Sequence, residues 1–329
     1  MHPPVRWGII GTGSIAKKFA EGLADLPEAR LVAVGSRATA TAEAFGTQYN
    51  IPRRHASYEA LASDPEVEAI YVSTPHPFHC ENTLLCLGKG KAVLCEKPFA
   101  INAAQARQMI GAARAGKVFL MEAMWTRFLP IMGWVRQRLP EIGQVRLVSA
   151  DFGFRAGFNP QSRLFAPALG GGALLDVGIY VLSFASMILG PRPAKLASAA
   201  CLGETGVDEQ TSLLLSYADG AQAQLTCAVR TTTPQEARII GTEGMILIEA
   251  PFWRGTAATL RTGSAQVRAE FPLQGNGYNY EAAEVGRCLR AGNTESQLMP
   301  LDETLAIAEL MDQTRAQWGL RYPMESQKG

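Results

Sequence analysis

Residues 5–19, VRWGIIGTGSIAKKF, contain the pattern that most constrains the fold of this 329-residue chain. An apolar strand leads into a glycine turn, and a helical stretch begins directly after the turn. The spacing G-x-G-x-x-G/A, at Gly11, Gly13 and Ala16, allows a tight turn, close approach of a pyrophosphate and close packing of the helix on the strand. Free N–H groups at the start of the helix attract phosphates. We therefore predict a dinucleotide site whose first contacts are Gly11, Thr12, Gly13, Ser14 and Ile15.

The second predicted strand, ARLVAVGS, ends without the carboxylate that usually binds the ribose 2′-hydroxyl of NAD. Ser36 and Arg37 stand there instead, and the first acidic residue after them is Glu43. A hydroxyl beside a guanidinium suits a 2′-phosphate, because the guanidinium forms charge-assisted and bidentate hydrogen bonds. The sequence therefore favours NADP as the cofactor, with NAD as the second choice. The alternative role of Arg37 is that of a solvated loop arginine.

Strands and helices continue to alternate through the first third of the chain. The pattern predicts helices near residues 38–49, 57–63, 78–88 and 102–115, and strands at residues 68–74, 92–96 and 118–123. Strands separated by helices indicate an α/β domain with a doubly wound, mostly parallel sheet, which is the Rossmann arrangement. Ligands bind beyond the carboxyl ends of the strands in such sheets.

Three turns that follow these strands carry chemically useful side chains: Thr74-Pro75-His76-Pro77, Glu96-Lys97-Pro98 and Trp125-Thr126-Arg127. Because the turns lie at carboxyl ends of strands, we expect Lys97 to face the nicotinamide. The spacing of two histidines in the first turn and the next helix could suit a metal, but flanking prolines and the missing third ligand disfavour one. The second of these histidines is expected on the helix surface. The candidate cofactor contacts are Thr74, Pro75, His76, His79, Glu96, Lys97, Trp125 and Arg127.

The pattern changes after residue 124. An alternating strand, QVRLVSADFGF, is followed by a glycine-rich start to an apolar helix, LGGGALLDVGIYVLSFASMILG, and then by several strands with short turns. Successive hairpins indicate a mainly antiparallel sheet, and two helices near residues 279–291 and 301–318 close the chain. We predict a dinucleotide-binding domain at residues 1–124 and a second α/β domain at residues 125–329.

Composition narrows the classes of partner. A formal net charge of +1 gives no reason to expect nucleic acid or an anionic surface. No apolar stretch is expected to reach the roughly 18 residues that cross a bilayer, so we expect no association with a membrane. The six cysteines are scattered and form no C-x-x-C pair. Together with an N-terminus that runs directly into a strand, this predicts a cytoplasmic protein without a structural metal.

The segments GIIGTGSIA, CEKPFAIN, MEAMWTRFLP and GGGALLDVGIY occur in the order found in the Gfo/Idh/MocA oxidoreductases, which the chain resembles over nearly its whole length. It is most similar to the branch that contains dimeric dihydrodiol dehydrogenase and NADP-dependent D-xylose dehydrogenases. The resemblance implies a second domain with an open, largely antiparallel sheet that mediates homodimerisation. It also implies nicotinamide-dependent redox chemistry on a sugar, polyol or cyclic vicinal diol. The family's catalytic lysine corresponds to Lys97, whose peptide bond to Pro98 is expected to be cis.

The family's motif D-x-G-x-H ends here in tyrosine, with Asp176 and Tyr180 at its two ends. Hydride leaves a carbinol carbon only as the hydroxyl proton is removed, so the site needs a base and a stabilising positive charge. Tyrosine has a pKa near 10, which a neighbouring ammonium lowers. We therefore predict Lys97 and Tyr180 as a proton-transfer pair. Asp176, which shares a helix face with Tyr180 at i and i+4, is assigned to binding a substrate hydroxyl and to orienting Lys97.

The remaining candidates for substrate contacts are aromatic. Trp125, Phe154 and Phe158 are expected to border the substrate cleft beside Asp176 and Tyr180, with packing inside the fold as the alternative for each of the three. Two other functions stay open. One is a sugar reductase, or an oxidoreductase that recycles a tightly held cofactor, and the other is a non-catalytic regulator that senses NADP.

Overall fold

The computed structural model describes residues 3–325 and divides into two compact units. The first unit contains the chain up to Trp125 together with Gln274–Leu305, and the second contains Thr126–Leu273 and the chain from Ala306 onward. The predicted first boundary, at residues 124 and 125, lies next to the observed one. The assignment of all later residues to one domain is wrong, because residues 274–305 return to the first unit.

The first unit is built on a parallel six-stranded sheet of order β3-β2-β1-β4-β5-β6, which confirms the predicted doubly wound fold. Its strands are β1 (Val5–Ile10), β2 (Ala29–Gly35), β3 (Arg53–His55), β4 (Ala69–Val72), β5 (Ala92–Glu96) and β6 (Leu120–Ala123). Its first helices are α1 (Ser14–Ala24), α2 (Thr39–Gln48), α3 (Tyr58–Ala62), α4 (His79–Gly88) and α5 (Ala103–Gly116). All residues of β4 and β5 are buried, because helices cover both faces of a sheet of this kind.

The returning segment packs its helix against α1. A Cβ atom on Gly22 of α1 would lie 2.8 Å from Asn276 Oδ1 and 3.1 Å from Asn279 N, so glycine permits this close approach. Trp125 also stacks on Tyr278, with ring centroids 4.7 Å apart. The helix of this returning segment spans Tyr278–Arg290 and is labelled α8.

The second unit contains an eight-stranded sheet of order β14-β13-β12-β11-β7-β10-β9-β8. The pairing of β7 with β10 is parallel and the other pairings are antiparallel, in agreement with the prediction. Its strands are β7 (Val145–Gly153), β8 (Lys195–Leu202), β9 (Asp208–Ser216), β10 (Gln222–Ala228), β11 (Ala237–Gly241), β12 (Gly244–Ile248), β13 (Ala257–Thr262) and β14 (Ala265–Glu270). Its helices are α6 (Pro130–Arg138) and α7 (Ile179–Leu189), and α9 (Leu301–Ala316) crosses the division between the units.

One helical run, Pro167–Leu189, is long and apolar enough to cross a membrane by length and composition alone. Our sequence expectation that no such stretch exists is therefore wrong. Within the run, 83% of the most apolar window is buried inside the fold, as is typical of the core helix of a folded domain. A Cβ atom on Gly178 would lie 3.0 Å from Cys227 Sγ of β10, which shows how closely the run packs on the sheet.

Candidate active site

The turn between β1 and α1 has the geometry of a pyrophosphate site. Gly11 has a φ of +100°, and a Cβ atom there would lie 2.9 Å from Ser73 Oγ, so a side chain would be strained in this conformation and would crowd the serine. Gly13 precedes α1, whose start has no side-chain cap. A Cβ atom on Gly13 would meet no atom within 4 Å, so open space lies beside the free N–H groups of α1. These features fit the binding of a dinucleotide phosphate.

The end of β2 presents a cation and no carboxylate. Ser36 is buried, and its hydroxyl lies 2.5 Å from Thr41 Oγ1. Arg37 is exposed, and the nearby guanidinium partly offsets the rise that burial causes in the pKa of Tyr58. Glu43, the first acidic residue after the strand, pairs with Arg54 at 2.6 Å. The end of β2 therefore offers a hydroxyl and a positive charge to a ligand.

His79 joins two of the predicted turns from inside the fold. It is only 1% exposed, so its expected place on the helix surface is wrong. Its Nδ1 lies 2.8 Å from the carbonyl oxygen of Pro98, and its Nε2 lies 2.8 Å from that of Thr74. Both ring nitrogens thus face the backbone, and the residue holds the turn after β4 against the turn after β5. His76 is also buried, with its ring centroid 5.7 Å from that of His79.

The turn that carries Lys97 is held on both sides. The peptide bond between Lys97 and Pro98 is cis, as the family resemblance implied. On the other side, Glu96 is buried, and its carboxylate accepts hydrogen bonds from the Tyr71 hydroxyl and, at 3.1 Å, from the Lys97 N–H. Lys97 itself is half-buried, and its charge adds to the burial that lowers the pKa of His79. The lysine therefore stands at a strand end whose backbone is fixed. The assignment of Glu96 to cofactor binding stays a prediction.

Asp176 and Tyr180 lie in one buried helical segment of the second unit. Both are nearly inaccessible, at 4% and 6% exposure. The segment begins as a π-helix over Leu174–Gly178 and continues as α7, so Asp176 lies in a wider turn than the α-helix that the sequence predicted. Single π-helical turns occur frequently at functional sites. Asp176 Oδ1 forms an ion pair with Arg163 Nη1 at 2.7 Å. Sequence reasoning missed Arg163 because it lies in an irregular loop without a motif.

The aromatic surroundings of Tyr180 differ from those predicted. Phe152 packs edge-on against the Tyr180 ring, with centroids 5.2 Å apart, and stacks on Trp253 at 4.9 Å. Phe154 lies next to Phe152, at a centroid distance of 6.3 Å. Phe158 packs instead on Phe165 and lies beneath the Arg230 guanidinium. Only the tertiary structure brings Trp253 onto Phe152, because about a hundred residues separate the two in sequence.

The third predicted turn is divided between the two units. Trp125 is buried in the first unit against Tyr278, so packing within the fold, the alternative considered above, accounts for its position. Arg127 is buried in the second unit, where its Nε donates to Ser183 Oγ and its Nη2 donates to the Ser183 carbonyl, both at 2.8 Å. Arg127 therefore anchors α7 within one turn of Tyr180. Cofactor contact by either residue stays a prediction.

A buried carboxylate supports the start of the segment that carries Asp176. Asp208 Oδ2 accepts hydrogen bonds from the Leu174 N–H at 2.7 Å and from the Thr211 hydroxyl at 2.9 Å. Leu174 is the first residue of the π-helix that continues as α7, and N–H groups in the first turn of a helix have no partner within it. Asp208 therefore caps the start of this π-helix. Its spacing from Leu174 in sequence gave no signal for this contact.

Asp208 should make stability depend on pH. Burial raises its pKa to about 7, and Cys227, Arg315 and Tyr322 are the other titratable groups that face it. Because the folded pKa exceeds the unfolded one, the stability that this group contributes is complete below about pH 4 and is lost as the pH rises through about 7. We expect Tm to fall over this range in the wild type and to fall less in Asp208→Asn. Thermal unfolding at a series of pH values measures this, and equal slopes would contradict it.

The parallel-sheet fold, the side chains at the strand ends of the first unit and the buried aspartate and tyrosine of the second unit together define a nicotinamide-dependent oxidoreductase. The model described as "Oxidoreductase family, NAD-binding Rossmann fold" matches residues 5–124, and the "GFO/IDH/MocA C-terminal domain" matches residues 139–247. The chain belongs to the Gfo/Idh/MocA oxidoreductase family. Among residues 3–325, no group of three or more His, Cys, Asp and Glu side chains is arranged to hold a metal ion.

Curated relatives match over nearly their full length. Trans-1,2-dihydrobenzene-1,2-diol dehydrogenase of Mus musculus is 41% identical over 336 residues, with 98% of this chain and 99% of the relative covered. The Homo sapiens protein of the same name is 38% identical over 336 residues, with the same coverage. This chain is therefore similar along its whole length to named dehydrogenases.

Solved structures support the same class. Aldose-aldose oxidoreductase from Caulobacter crescentus superposes with a TM-score of 0.87 at 26% identity, covering 96% of this chain and 98% of that one. A 3-ketoreductase from Actinomadura kijaniata, solved with NADP and TDP-benzene, gives a TM-score of 0.83 at 26% identity, covering 95% and 97%. Variants of that reductase with a lysine replaced by alanine, or a tyrosine by phenylalanine, have also been solved. The two replaced residues lie about as far apart in that chain as Lys97 and Tyr180 do in this one.

Proposed function

We propose that this protein is an NADP-dependent oxidoreductase that transfers a hydride between the nicotinamide and a carbinol or carbonyl carbon of a sugar, polyol or cyclic vicinal diol. The observation that carries the proposal is the burial of Asp176 and Tyr180 in one helical segment, in a chain about 40% identical to dihydrodiol dehydrogenases. The identity extends over both units, so it includes the dinucleotide turn and the substrate domain.

The proposed chemistry divides between side chains of the two units. Tyr180 takes the proton of the substrate hydroxyl as the carbon loses hydride, and returns it in the reverse direction. The Lys97 ammonium lowers the pKa of the tyrosine and stabilises the developing alkoxide. Asp176 accepts a hydrogen bond from a second substrate hydroxyl. A lysine and a tyrosine were also the residues replaced in the variants of the Actinomadura reductase, and this choice supports the assignment of the same two residue types here.

NADP would be held by the turn at residues 11–15 and by Ser36 and Arg37, and it would supply the hydride acceptor or donor. The uncapped start of α1 and the open space beside Gly13 favour the diphosphate at this turn. Ser36 and Arg37 are the groups available for a 2′-phosphate, because no carboxylate stands at the end of β2. His76, Thr74 and Pro75, at the end of β4, are proposed to border the nicotinamide ribose.

Arg37→Ala should weaken the binding of NADP and leave the binding of NAD unchanged. The lost hydrogen bonds involve a charged group, for which about 1.5–3 kcal/mol is typical, so we expect KM for NADP to rise by about 10- to 100-fold. KM for NAD should change little, because NAD has no 2′-phosphate. Steady-state kinetics with both cofactors measures the effect. The matched control is Arg30→Ala, an exposed arginine near the start of the same strand. Equal KM values for NADP in Arg37→Ala and the wild type would contradict the assignment.

We also propose a homodimer formed through the open face of the eight-stranded sheet. Leu214 of β9 is 42% exposed, and its neighbours across the sheet are Ala197 and Gln224, so an exposed apolar side chain lies between a small and a polar one on this face. A charge in the middle of such an interface would be buried without a partner. We expect Leu214→Arg to shift the molar mass measured by light scattering from dimer to monomer. Leu298→Arg, at a 36% exposed leucine of the first unit, should not. A wild-type monomer would refute the proposal.

A panel of candidate substrates is needed to identify the substrate and the direction of the reaction. Pentoses, hexoses and dihydrodiols should be tested with NADP and NAD, and the corresponding carbonyl compounds with the reduced cofactors. Turnover of a diol or aldose with NADP supports the proposal, whereas turnover only of carbonyl compounds indicates a reductase. Cofactor binding without any turnover would instead indicate the NADP-sensing regulator.

A further inference from the structure

The glycine loop Gly170–Gly172 leads directly into the turn that carries Asp176. Gly170 and Gly172 have φ angles of +68° and +120°, which favour glycine. The Asp176 N–H donates to the Gly172 carbonyl at 3.3 Å, so the loop and the catalytic turn share a hydrogen bond. Three consecutive glycines restrict the backbone very little by themselves. The position of the turn therefore depends on the groups that contact the loop.

One such group is Asp208, which contacts both ends of the junction. Its Oδ2 accepts from the Leu174 N–H, as described above. Its Oδ1 faces the loop, because a Cβ atom on Gly172 would lie 2.3 Å from it. Any side chain at residue 172 would displace the carboxylate. Asp208 thus fixes the first helical N–H and also fills the space beside the loop.

The second group reaches the loop from the C-terminal end of the chain. Tyr322 is completely buried, and its hydroxyl donates to the Gly171 carbonyl at 2.6 Å. The tyrosine is held in turn by the Arg315 guanidinium, 5.0 Å from its ring centroid. The carboxylate of Glu325 accepts the Tyr322 N–H at 2.8 Å and pairs with Arg315 at 2.8 Å. Residues 320–325, here called the C-terminal strap, therefore form a fixed support for one carbonyl of the glycine loop.

We propose that Tyr322 and Asp208 are positioning residues, which hold the glycine loop so that the π-helical turn and the start of α7 present Asp176 and Tyr180 in the orientation that proton transfer requires. The inference rests on the proposed function of those two residues. Tyr322 fixes the loop at Gly171 and Asp208 fixes it at Leu174, so the junction is held at two points three residues apart. Neither group needs to touch the substrate, because each acts through the backbone that carries the catalytic side chains.

Tyr322→Phe tests the proposal with the smallest change. Phenylalanine keeps the ring against Arg315 and removes only the hydroxyl that holds Gly171. Misplacement of catalytic groups by about 1 Å costs about 10²-fold, so a partial loosening should reduce kcat by about 10-fold or somewhat more. KM for NADP should not change, because the dinucleotide turn lies in the other unit. The control Tyr217→Phe, at a half-buried tyrosine of the same unit, should leave kcat unchanged.

Two further variants separate positioning from general structural support. Asp208→Asn keeps an oxygen that can accept from Leu174 and should retain most of kcat, whereas Asp208→Ala should lose about as much as Tyr322→Phe. In a double variant, Tyr322→Phe should add less to the loss caused by Tyr180→Phe than it costs alone, since part of its effect acts through the Tyr180 hydroxyl. Thermal unfolding verifies that each variant is folded.

The outcomes are distinguishable. If Tyr180→Phe reduces kcat and Tyr322→Phe does not, the positioning role is refuted while the proposed function stands. Additive losses in the double variant would also refute it. If Tyr180→Phe leaves kcat unchanged, the role of Tyr180 in the proposed function fails, because another group then carries the proton. If Tyr322→Phe also raises KM for NADP, or lowers only Tm, the C-terminal strap merely stabilises the fold and the positioning role is refuted.

Discussion

Replacing Tyr180 with phenylalanine should reduce kcat by about 10²–10⁴-fold, the usual contribution of a general acid–base group. The variant should fold, because phenylalanine retains the ring that packs edge-on against Phe152 at 5.2 Å. The loss should occur in both reaction directions, since the same hydroxyl accepts the proton in oxidation and donates it in reduction. Steady-state kinetics with the best substrate of the panel measures it.

Tyr217→Phe is the matched control for this prediction as well, because it removes a hydroxyl from the second unit outside the proposed site. Its kcat should equal that of the wild type. A Tyr180→Phe enzyme with wild-type kcat would show that another group carries the proton.

Lys97→Met should lower kcat by about 10²–10³-fold, the loss typical of removing one group that stabilises developing negative charge. Methionine has a similar length and no charge, so the variant isolates the electrostatic contribution. The pH dependence should also change. An ammonium favours the phenolate and lowers the pKa of the tyrosine, so its removal raises that pKa, and oxidation should then require a higher pH.

Lys97→Arg and Lys89→Met complete this experiment. Arginine retains the charge, so its pH profile should stay closer to that of the wild type even if kcat falls through altered geometry. Lys89 is exposed in the turn before β5, and its replacement should change neither kcat nor the profile. An unshifted pH profile in Lys97→Met would contradict the role assigned to the lysine charge.

Local sequence patterns predicted the first unit well where strands are apolar. Every residue of β5 is buried, and its apolar run ends at the turn that carries Lys97. The strand β3 was missed, because Arg53–His55 are polar residues at the edge of the sheet. A strand that is buried on both faces is recognisable as a continuous apolar run in the sequence, whereas an edge strand of three polar residues has no such run.

The candidate site was predictable in its motifs and not in its surroundings. Asp176 and Tyr180 were identified from one motif, and the structure buries both in one segment. The partner of Asp176 is Arg163, which belongs to an irregular loop. His79, expected on a helix surface, instead lies between two turns, because the parallel strands β4 and β5 bring their ends together.

The sequence by itself determined the dinucleotide turn, the turn at Lys97 and the Asp176–Tyr180 spacing. Each of these depends on residues that are close together in the chain, so the chemistry can be recognised from a short pattern. Only the tertiary structure decided that α8 returns to the first unit and that Tyr322 supports the glycine loop. Those contacts join residues about 150 or more positions apart, and no local periodicity records which distant residues will meet.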